Sequence, residues 1–325
     1  MELTPEKKNK LGRIGVLMGG PSSEREISFK SGKAVVEALS QLGLETAAID
    51  IKSDNIRETR ELLKSSSINC AFIALHGYFG EDGQVQRILD ELKIPYTSSG
   101  AMASKLAMDK IASHEIFQVN GINIPKYKAL NKGYFSPASK ANIGLGYPLV
   151  IKPATHGSSI GLSIVDKRED LDKALDLAFG FDENILVEEY VHGREVTVAV
   201  LDELALPVIE IIPKNRFFDY EAKYQPGKTT YVMPAEIDEK LAAKVRDTAL
   251  KTHKLLGCSG CSRVDMILDK DNNVIVLEVN TVPGLTQTSL LPKAAKLAGI
   301  EFNQLCLKLV ELAYEKTAKA MGAGR

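Results

Sequence analysis

Three features of the 325-residue sequence predict an α/β domain followed by α+β domains. Short apolar runs alternate with helical patterns over about the first hundred residues, which is typical of a doubly wound parallel sheet. Later strands are joined by short polar turns, and such turns favour antiparallel hairpins. The content of 44% hydrophobic and 26% charged residues matches an ordinary globular protein that is long enough for several domains.

Composition and charge exclude several classes of partner. The formal net charge is −1 and neither sign forms a long block, so we expect no nucleic acid and no membrane surface as a partner. No apolar run approaches the roughly 20 residues of a membrane span. The polar, lysine-rich start lacks a signal-peptide core, and four cysteines are too few for a disulfide framework. We therefore expect a cytoplasmic protein whose residues 1–10 form a mobile tail.

The first hundred residues contain three apolar runs that predict parallel strands. The runs lie at residues 14–18, 44–51 and 70–75, and helical patterns follow the first two. Ligands of such sheets bind beyond the carboxyl ends of the strands, where Gly19, Gly20 and His76 fall. The first turn lacks GxGxxG spacing and the chain has no Walker A loop, so a nucleotide would have to bind by another device.

A glycine- and serine-rich loop dominates the middle of the chain. Residues 108–117 predict a helix, and strands are predicted at 148–152, 163–165 and 184–191. Between the first two strands lie Gly157, Ser158, Ser159 and Gly161, with Lys152 just before them. Loop amides and hydroxyls of this kind can hold phosphates. A plain flexible turn remains an equally good interpretation.

The last third predicts a hairpin, a long loop and two helices. Residues 195–201 and 206–212 form the hairpin, and helices are predicted at 238–256 and 302–319. The polar loop at 215–234 contains five aromatic residues. Loops of this length without regular structure are usually functional or disordered, and the aromatic residues argue against disorder.

A second hairpin, at residues 263–280, carries polar residues that could bind a metal ion. Glu278 and Asn280 are two residues apart on one strand and therefore share a face, which Asp265 on the partner strand can join. Two carboxylates and an amide oxygen suit Mg²⁺. The alternative is an ordinary solvated hairpin face.

The order of these motifs resembles the D-alanine–D-alanine ligases of the ATP-grasp superfamily. The match extends from Ile14 to Leu291 and rests on several motifs in one order. They lie at residues 19–28, 76–83, 108–110, 152–161, 219–224, 263–265 and 278–284.

The resemblance implies a fold, a reaction and a set of partners. An N-terminal substrate-binding domain would span residues 1–106, and the two ATP-grasp domains would span 107–192 and 193–325, with a lid at 215–234. The chain would join two D-alanine molecules at the expense of ATP, through an acylphosphate, for peptidoglycan precursors. Two Mg²⁺ ions would assist, with Mn²⁺ as a possible substitute, and the protein would be a homodimer.

The resemblance also assigns roles to individual residues. ATP would be bound by Lys110, Lys152, Ser159, Glu188, Glu189, Val191, Glu195 and Lys223. Metal ions would be bound by Asp265, Glu278 and Asn280. The amino acids and the tetrahedral intermediate would meet the catalytic residues Glu24, Ser158, Tyr224, Arg263 and Gly284, and the substrate-binding residues His76, Ser289 and Leu290.

Two alternatives remain beside this interpretation. A sister ligase could use D-lactate or D-serine as the second substrate, although residues 221–224 keep the Glu-Ala-Lys-Tyr sequence that the dipeptide-forming relatives carry. A non-catalytic binding module would be expected to lack a phosphate-binding lysine or a metal-binding carboxylate, and this chain has them all.

Overall fold

The structure is a computed structural model that describes residues 3–136, 143–214 and 227–322. Its first sheet is parallel, with strand order β2-β1-β3. The strands are β1 (Ile14–Gly19), β2 (Thr46–Ile51) and β3 (Cys70–Ile73), and β1 is buried along its whole length. Helices α2 (Arg25–Gln41), α3 (Ile56–Ser65) and α4 (Gln84–Leu92) connect and follow them. The predicted doubly wound sheet is therefore confirmed.

The N-terminal segment is helical where the sequence suggested a mobile tail. Helix α1 spans Pro5–Leu11, and the Thr4 hydroxyl caps it by accepting from the amide of Lys7. Leu3 and Leu11 are buried in the same apolar cluster as β1. The expectation was wrong because two leucines are enough to anchor a polar helix to the core.

Two consecutive helices place a lysine beside the glycine- and serine-rich loop. Helix α5 (Ala101–Met108) ends at Asp109, whose extended backbone starts α6 (Lys110–Val119). The Asp109 carboxylate caps α6 by accepting from the amides of Ile111 and Ala112 at 3.0 and 3.1 Å. The sequence predicted only the second of these helices.

The second sheet is antiparallel, with strand order β4-β7-β5-β6. Its strands are β4 (Tyr127–Asn131), β5 (Leu149–Pro153), β6 (Ser163–Val165) and β7 (Asn184–Glu189). Helix α7 (Leu171–Phe179) buries its apolar face against this sheet. The loop at residues 154–162 connects β5 and β6.

The third sheet has the order β11-β10-β8-β12-β13, with β9 paired to β8. Helix α8 (Glu239–Leu255) covers it. Two predictions were wrong in this sheet. The predicted strand at residues 206–212 is replaced by two strands on either side of Pro207, which lacks an amide proton for the sheet. Residues 229–232, which were predicted to belong to the loop at 215–234, form a strand. The strands are β8 (Gly193–Leu201), β9 (Leu204–Ala205), β10 (Ile209–Pro213), β11 (Thr229–Val232), β12 (Cys261–Asp269) and β13 (Val274–Asn280).

The last two helices return to the start of the chain. They are α9 (Leu290–Leu297), which the sequence did not predict, and α10 (Phe302–Gly322). Leu305 and Leu309 of α10 share an apolar cluster with Val35 and Leu39 of α2. Through this cluster, α10 at the C-terminal end of the described chain packs against the domain that contains the parallel sheet. Within the described part of the chain, no helix has both the length and the apolar character needed to cross a bilayer.

Candidate active site

Two neighbouring cavities lie where the three sheets approach one another. Their volumes are about 420 and about 400 Å³. Lys110 and Glu278 line both cavities, so the two spaces meet at these side chains. We call the first the amino-acid cavity and the second the nucleotide cavity, after the roles that the resemblance implies for their walls.

The predicted site residues divide between the two cavities. The amino-acid cavity is lined by Glu24, His76, Ser158, Arg263, Asn280, Gly284, Ser289 and Leu290. The nucleotide cavity is lined by Lys152, Ser159, Glu188, Glu189, Val191, Glu195 and Asp265. Lys223 and Tyr224 lie outside the described residues.

The amino-acid cavity contains a short contact between distant parts of the chain. Ser158 donates its hydroxyl proton to Glu24 Oε1 at 2.5 Å, and Glu24 lies at the N-terminus of α2. Ser158 and Ser159 both adopt left-handed backbone conformations, with φ of 53° and 58°. Two consecutive non-glycine residues in this region are uncommon and store strain, which occurs mainly at functional sites. The loop is therefore shaped to bring Ser158 to Glu24.

His76 is held in the same cavity by two buried polar residues that were not predicted from the sequence. Its Nε2 lies 2.9 Å from the Ser31 hydroxyl, and its Nδ1 lies 3.4 Å from Glu81 Oε1. Burial alone would lower the pKa of His76, but the carboxylates of Glu81 and Glu24 outweigh burial and raise it. Glu81 could have been found from its place in the 76–83 motif, whereas Ser31 lies on α2 and no sequence motif connects it with His76.

The nucleotide cavity is built around a buried ion pair on adjacent strands. Lys152 Nζ of β5 lies 2.8 Å from Glu188 Oε2 of β7, and the two residues are only 7% and 2% exposed. The amide of Glu189 donates to the carbonyl of Lys126, so that amide already has a partner. A buried lysine beside a loop with left-handed serines is an arrangement that can receive phosphate oxygens.

The β12–β13 hairpin places its polar residues on one face. Asp265 pairs with Glu278 and Arg263 pairs with Asn280 in the antiparallel register. Arg263 donates to both carboxylate oxygens of Asp265, at 2.9 and 2.6 Å, and Lys110 Nζ lies 3.6 Å from Glu278 Oε2. Each carboxylate therefore faces a cation.

The side-chain oxygen atoms on this face are suitable ligands for a hard cation, although they do not make a complete metal site. Two carboxylates and the amide oxygen of Asn280, which also accepts from the Val282 amide at 2.9 Å, are the ligands that Mg²⁺ prefers. Within the described ranges, no three His, Cys, Asp or Glu side chains group together in a way that could hold a metal ion. The metal ions remain a prediction, and phosphate oxygens would have to supply the other ligands.

A tight turn closes the far end of the amino-acid cavity. A Cβ on Gly284 would lie 2.8 Å from the Ser289 hydroxyl oxygen, so a side chain there would displace Ser289. Ser289 precedes α9, and its hydroxyl accepts from the Thr286 amide at 3.2 Å. Leu290, the first residue of α9, lines the amino-acid cavity, and the N-terminus of a helix favours an anion such as a carboxylate.

Sequence comparison gives matches over most of the chain. A family described as D-ala D-ala ligase C-terminus matches residues 116–311, and one described as D-ala D-ala ligase N-terminus matches residues 50–99. A D-alanine--D-alanine ligase of Pelotomaculum thermopropionicum is 46% identical over 312 residues, which cover 93% of this chain and 97% of the relative.

Solved structures agree with these matches. The D-alanine--D-alanine ligase of Bacillus anthracis complexed with ATP superposes with a TM-score of 0.84 at 34% identity, covering 95% of this chain and 99% of that one. The VanG D-Ala:D-Ser ligase of Enterococcus faecalis gives 0.81 at 32% identity, covering 93% and 99%. With near-complete coverage by sequence and by structure, the chain belongs to the D-alanine–D-alanine ligase family.

Proposed function

We propose that this protein joins two D-alanine molecules into D-alanyl-D-alanine and converts ATP to ADP and phosphate. One observation carries the proposal: the nucleotide cavity and the amino-acid cavity share Lys110 and Glu278 as walls. Phosphoryl transfer requires the γ-phosphate and the accepting carboxylate to be in contact. A pair of cavities that meet at one lysine and one carboxylate provides such a meeting point.

The first step activates a poor electrophile. A carboxylate oxygen of the first D-alanine attacks the γ-phosphorus, the bond from that phosphorus to the β–γ bridging oxygen breaks, and ADP leaves. Lys110 and Lys152, which line the nucleotide cavity, would hold the phosphates as point charges. The resemblance assigns adenine and ribose to Glu188 and Glu195, and Ser159 to the phosphates.

The divalent ions belong to the same proposal. Asp265, Glu278 and Asn280 would hold Mg²⁺, or Mn²⁺ in its place. When bound, the ions would neutralise the charge that develops on the phosphate oxygens. Because Arg263 and Lys110 face these carboxylates in the structure, cation partners must be exchanged when ATP enters.

The second step forms the peptide bond. The amine nitrogen of the second D-alanine attacks the acyl carbon and a tetrahedral intermediate forms. The C–O bond to the phosphate then breaks, phosphate leaves with the bonding electrons, and the proton of the nitrogen passes to the phosphate. Arg263 and the Gly284 amide are the candidates to stabilise the oxyanion. Glu24 would receive the ammonium of the first substrate, and Ser289 with the Leu290 amide would receive the carboxylate of the second.

The organisation of the protein is also proposed. We propose three functional units, at residues 1–106, 107–192 and 193–325, with the active site between them, in a cytoplasmic homodimer. Helix α6 shares an apolar cluster with the third sheet. We therefore expect a relative motion of the units to displace the second sheet and the loop at residues 154–162, and to leave α6 in place against the third sheet. Light scattering on the purified protein tests the dimer, and a monomeric mass would contradict it.

A coupled assay tests the reaction. With ATP, Mg²⁺ and D-alanine, the purified chain should release one phosphate for each dipeptide formed, and ATP binding without either product would indicate a binding module instead. The likeness to a D-Ala:D-Ser ligase makes D-serine the leading alternative second substrate. Competition of D-serine and D-lactate against D-alanine, with products separated by mass, decides between them.

A further inference from the structure

His114 lies behind the nucleotide cavity and has no role in the proposed mechanism. It is on α6, one turn after Lys110, and is fully buried. Its ring packs against Tyr127 with the ring centroids 5.1 Å apart. It lies between two sheets, because it contacts Glu188 of β7 on one side and Leu277 of β13 on the other.

Each ring nitrogen of His114 faces a hydrogen-bond acceptor. Nδ1 lies 3.6 Å from Glu188 Oε1, and Nε2 lies 3.4 Å from the carbonyl oxygen of Leu277. Burial lowers the pKa of His114 to about 4, so the ring is neutral near pH 7. A neutral imidazole has one N–H and can satisfy only one of the two acceptors.

The atoms on the Glu188 side lack partners. Among the residues that the structure describes, neither Nδ1 of His114 nor Oε1 of Glu188 has a hydrogen-bond partner, and both atoms are shielded from solvent. Buried polar atoms without partners are rare and cost free energy. A purely structural position could hold an apolar side chain without this cost, so the pair calls for another explanation.

The opposite side of Glu188 belongs to the nucleotide cavity. Glu188 Oε2 forms the 2.8 Å ion pair with Lys152, and both residues line that cavity. A hydrogen bond to Oε1 from behind would therefore fix the direction of Oε2 and, through it, the position of the lysine ammonium. His114 Nδ1 needs to move only a few tenths of an ångström to make this bond.

We propose that His114 is a positioning residue for ATP, which donates its single N–H to Glu188 Oε1 and so holds the Glu188–Lys152 pair in place for the nucleotide. This inference rests on the proposed function and adds to it a residue that the family motifs did not select. In this tautomer Nε2 carries no proton, so the Leu277 carbonyl receives no hydrogen bond from His114.

Two amide variants separate the two ring nitrogens. The side-chain amide of His114→Asn reaches about the position of Nδ1, and that of His114→Gln reaches about the position of Nε2. His114→Leu removes both donors at similar volume. We expect KM for ATP to rise roughly tenfold in the Gln and Leu variants and by no more than about threefold in the Asn variant, as for loss of one hydrogen bond to a charged group. The kcat and the KM for D-alanine should stay within about twofold of wild type.

Calorimetric titration with a non-hydrolysable ATP analogue gives a readout that is independent of turnover, and thermal unfolding shows that each variant is folded. The inference is overturned if the Asn variant is as weak as the Gln variant, or if all three bind the analogue as wild type does. Those results leave the proposed function intact. A wild-type chain that neither binds the analogue nor forms dipeptide overturns both.

Discussion

Glu24 in the amino-acid cavity contacts a hydroxyl group, whereas Glu188 and Asp265 in the nucleotide cavity contact cations. In the amino-acid cavity Glu24 accepts a hydrogen bond from the Ser158 hydroxyl. In the nucleotide cavity Glu188 is paired with Lys152, and Asp265 with Arg263. A hydroxyl orients a carboxylate without cancelling its charge, whereas an ammonium or guanidinium group cancels most of it.

This difference matches the charges of the proposed ligands. An amino acid brings an ammonium group, which a carboxylate oriented by a hydroxyl can receive. ATP brings several negative charges, which need cations that are already in place, and pairing with carboxylates is what makes buried cations tolerable before ATP arrives. The contrast predicts that neutral replacements of the carboxylates will affect the two ligands differently.

The largest effect is expected for Glu278, which borders both cavities. Glu278→Gln keeps the size of the side chain but removes the charge that faces Lys110 at 3.6 Å, and it replaces one of the two oxygens proposed to bind Mg²⁺ with an amide nitrogen. We expect kcat to fall by a factor on the order of 10³, because charge stabilisation during phosphoryl transfer is lost. Steady-state phosphate release across a range of Mg²⁺ concentrations measures it.

A matched control is available on the same hairpin. Asp271→Asn removes an exposed carboxylate in the β12–β13 turn and should leave kcat within about twofold. Near-normal, Mg²⁺-dependent turnover by Glu278→Gln would remove this residue from the metal site.

Glu24 should show the next largest effect, confined to the amino acid. Glu24→Gln can still accept from Ser158 but offers no charge to an ammonium group, so we expect KM for D-alanine to rise roughly 100-fold, as for loss of one partner of a buried ion pair. KM for ATP should change little. Glu26→Gln, an exposed neighbour on the same helix, is the control. An equal rise in both KM values would contradict the division between the cavities.

How well the sequence predicted each region depends on how local its contacts are. Asp265 and Glu278 belong to one hairpin, so alternation along two strands was enough to place them on one face, and the register confirms it. Glu24 and Ser158 are 134 positions apart, and no periodic pattern connects them. Only the family resemblance assigned both of them to one set of catalytic residues.

The missed elements have similar causes. Helix α1 depends on two leucines that pack against distant strands, and β11 depends on pairing with β10 rather than on a hydrophobic run of its own. His114 was not predicted as a site residue, because its two acceptors come from different sheets. Tertiary contacts decide such cases, and propensity cannot.

A smaller effect is expected at Ser158, where two variants distinguish the contribution of the hydroxyl from that of the strained backbone. Ser158→Ala and Ser158→Gly both lose the 2.5 Å bond to Glu24, so both should raise KM for D-alanine roughly tenfold. Only glycine relieves the left-handed φ of 53°, so the Gly variant should exceed the Ala variant in free energy of unfolding by about 1 kcal/mol. Denaturant titration measures the second difference. If the two variants differ in KM but not in stability, backbone geometry rather than the hydroxyl governs the contact.

The smallest expected effect concerns His76, where the same carboxylates that serve the amino acid act on a neighbouring base. Glu81 and Glu24 raise the pKa of His76 above its usual 6.5 despite burial, so the folded protein binds this proton more tightly than the unfolded chain. The resulting stability is fully present below pH 6.5 and is lost as the pH rises through the raised value. His76→Gln should therefore flatten the decline of Tm above pH 6.5, by less than about 4 °C in total.

His253→Gln is the control, because burial lowers the pKa of His253 to about 4 and its contribution changes only below pH 6.5. If the decline of Tm above pH 6.5 persists in His76→Gln, the carboxylates of Glu81 and Glu24 do not raise the pKa of His76.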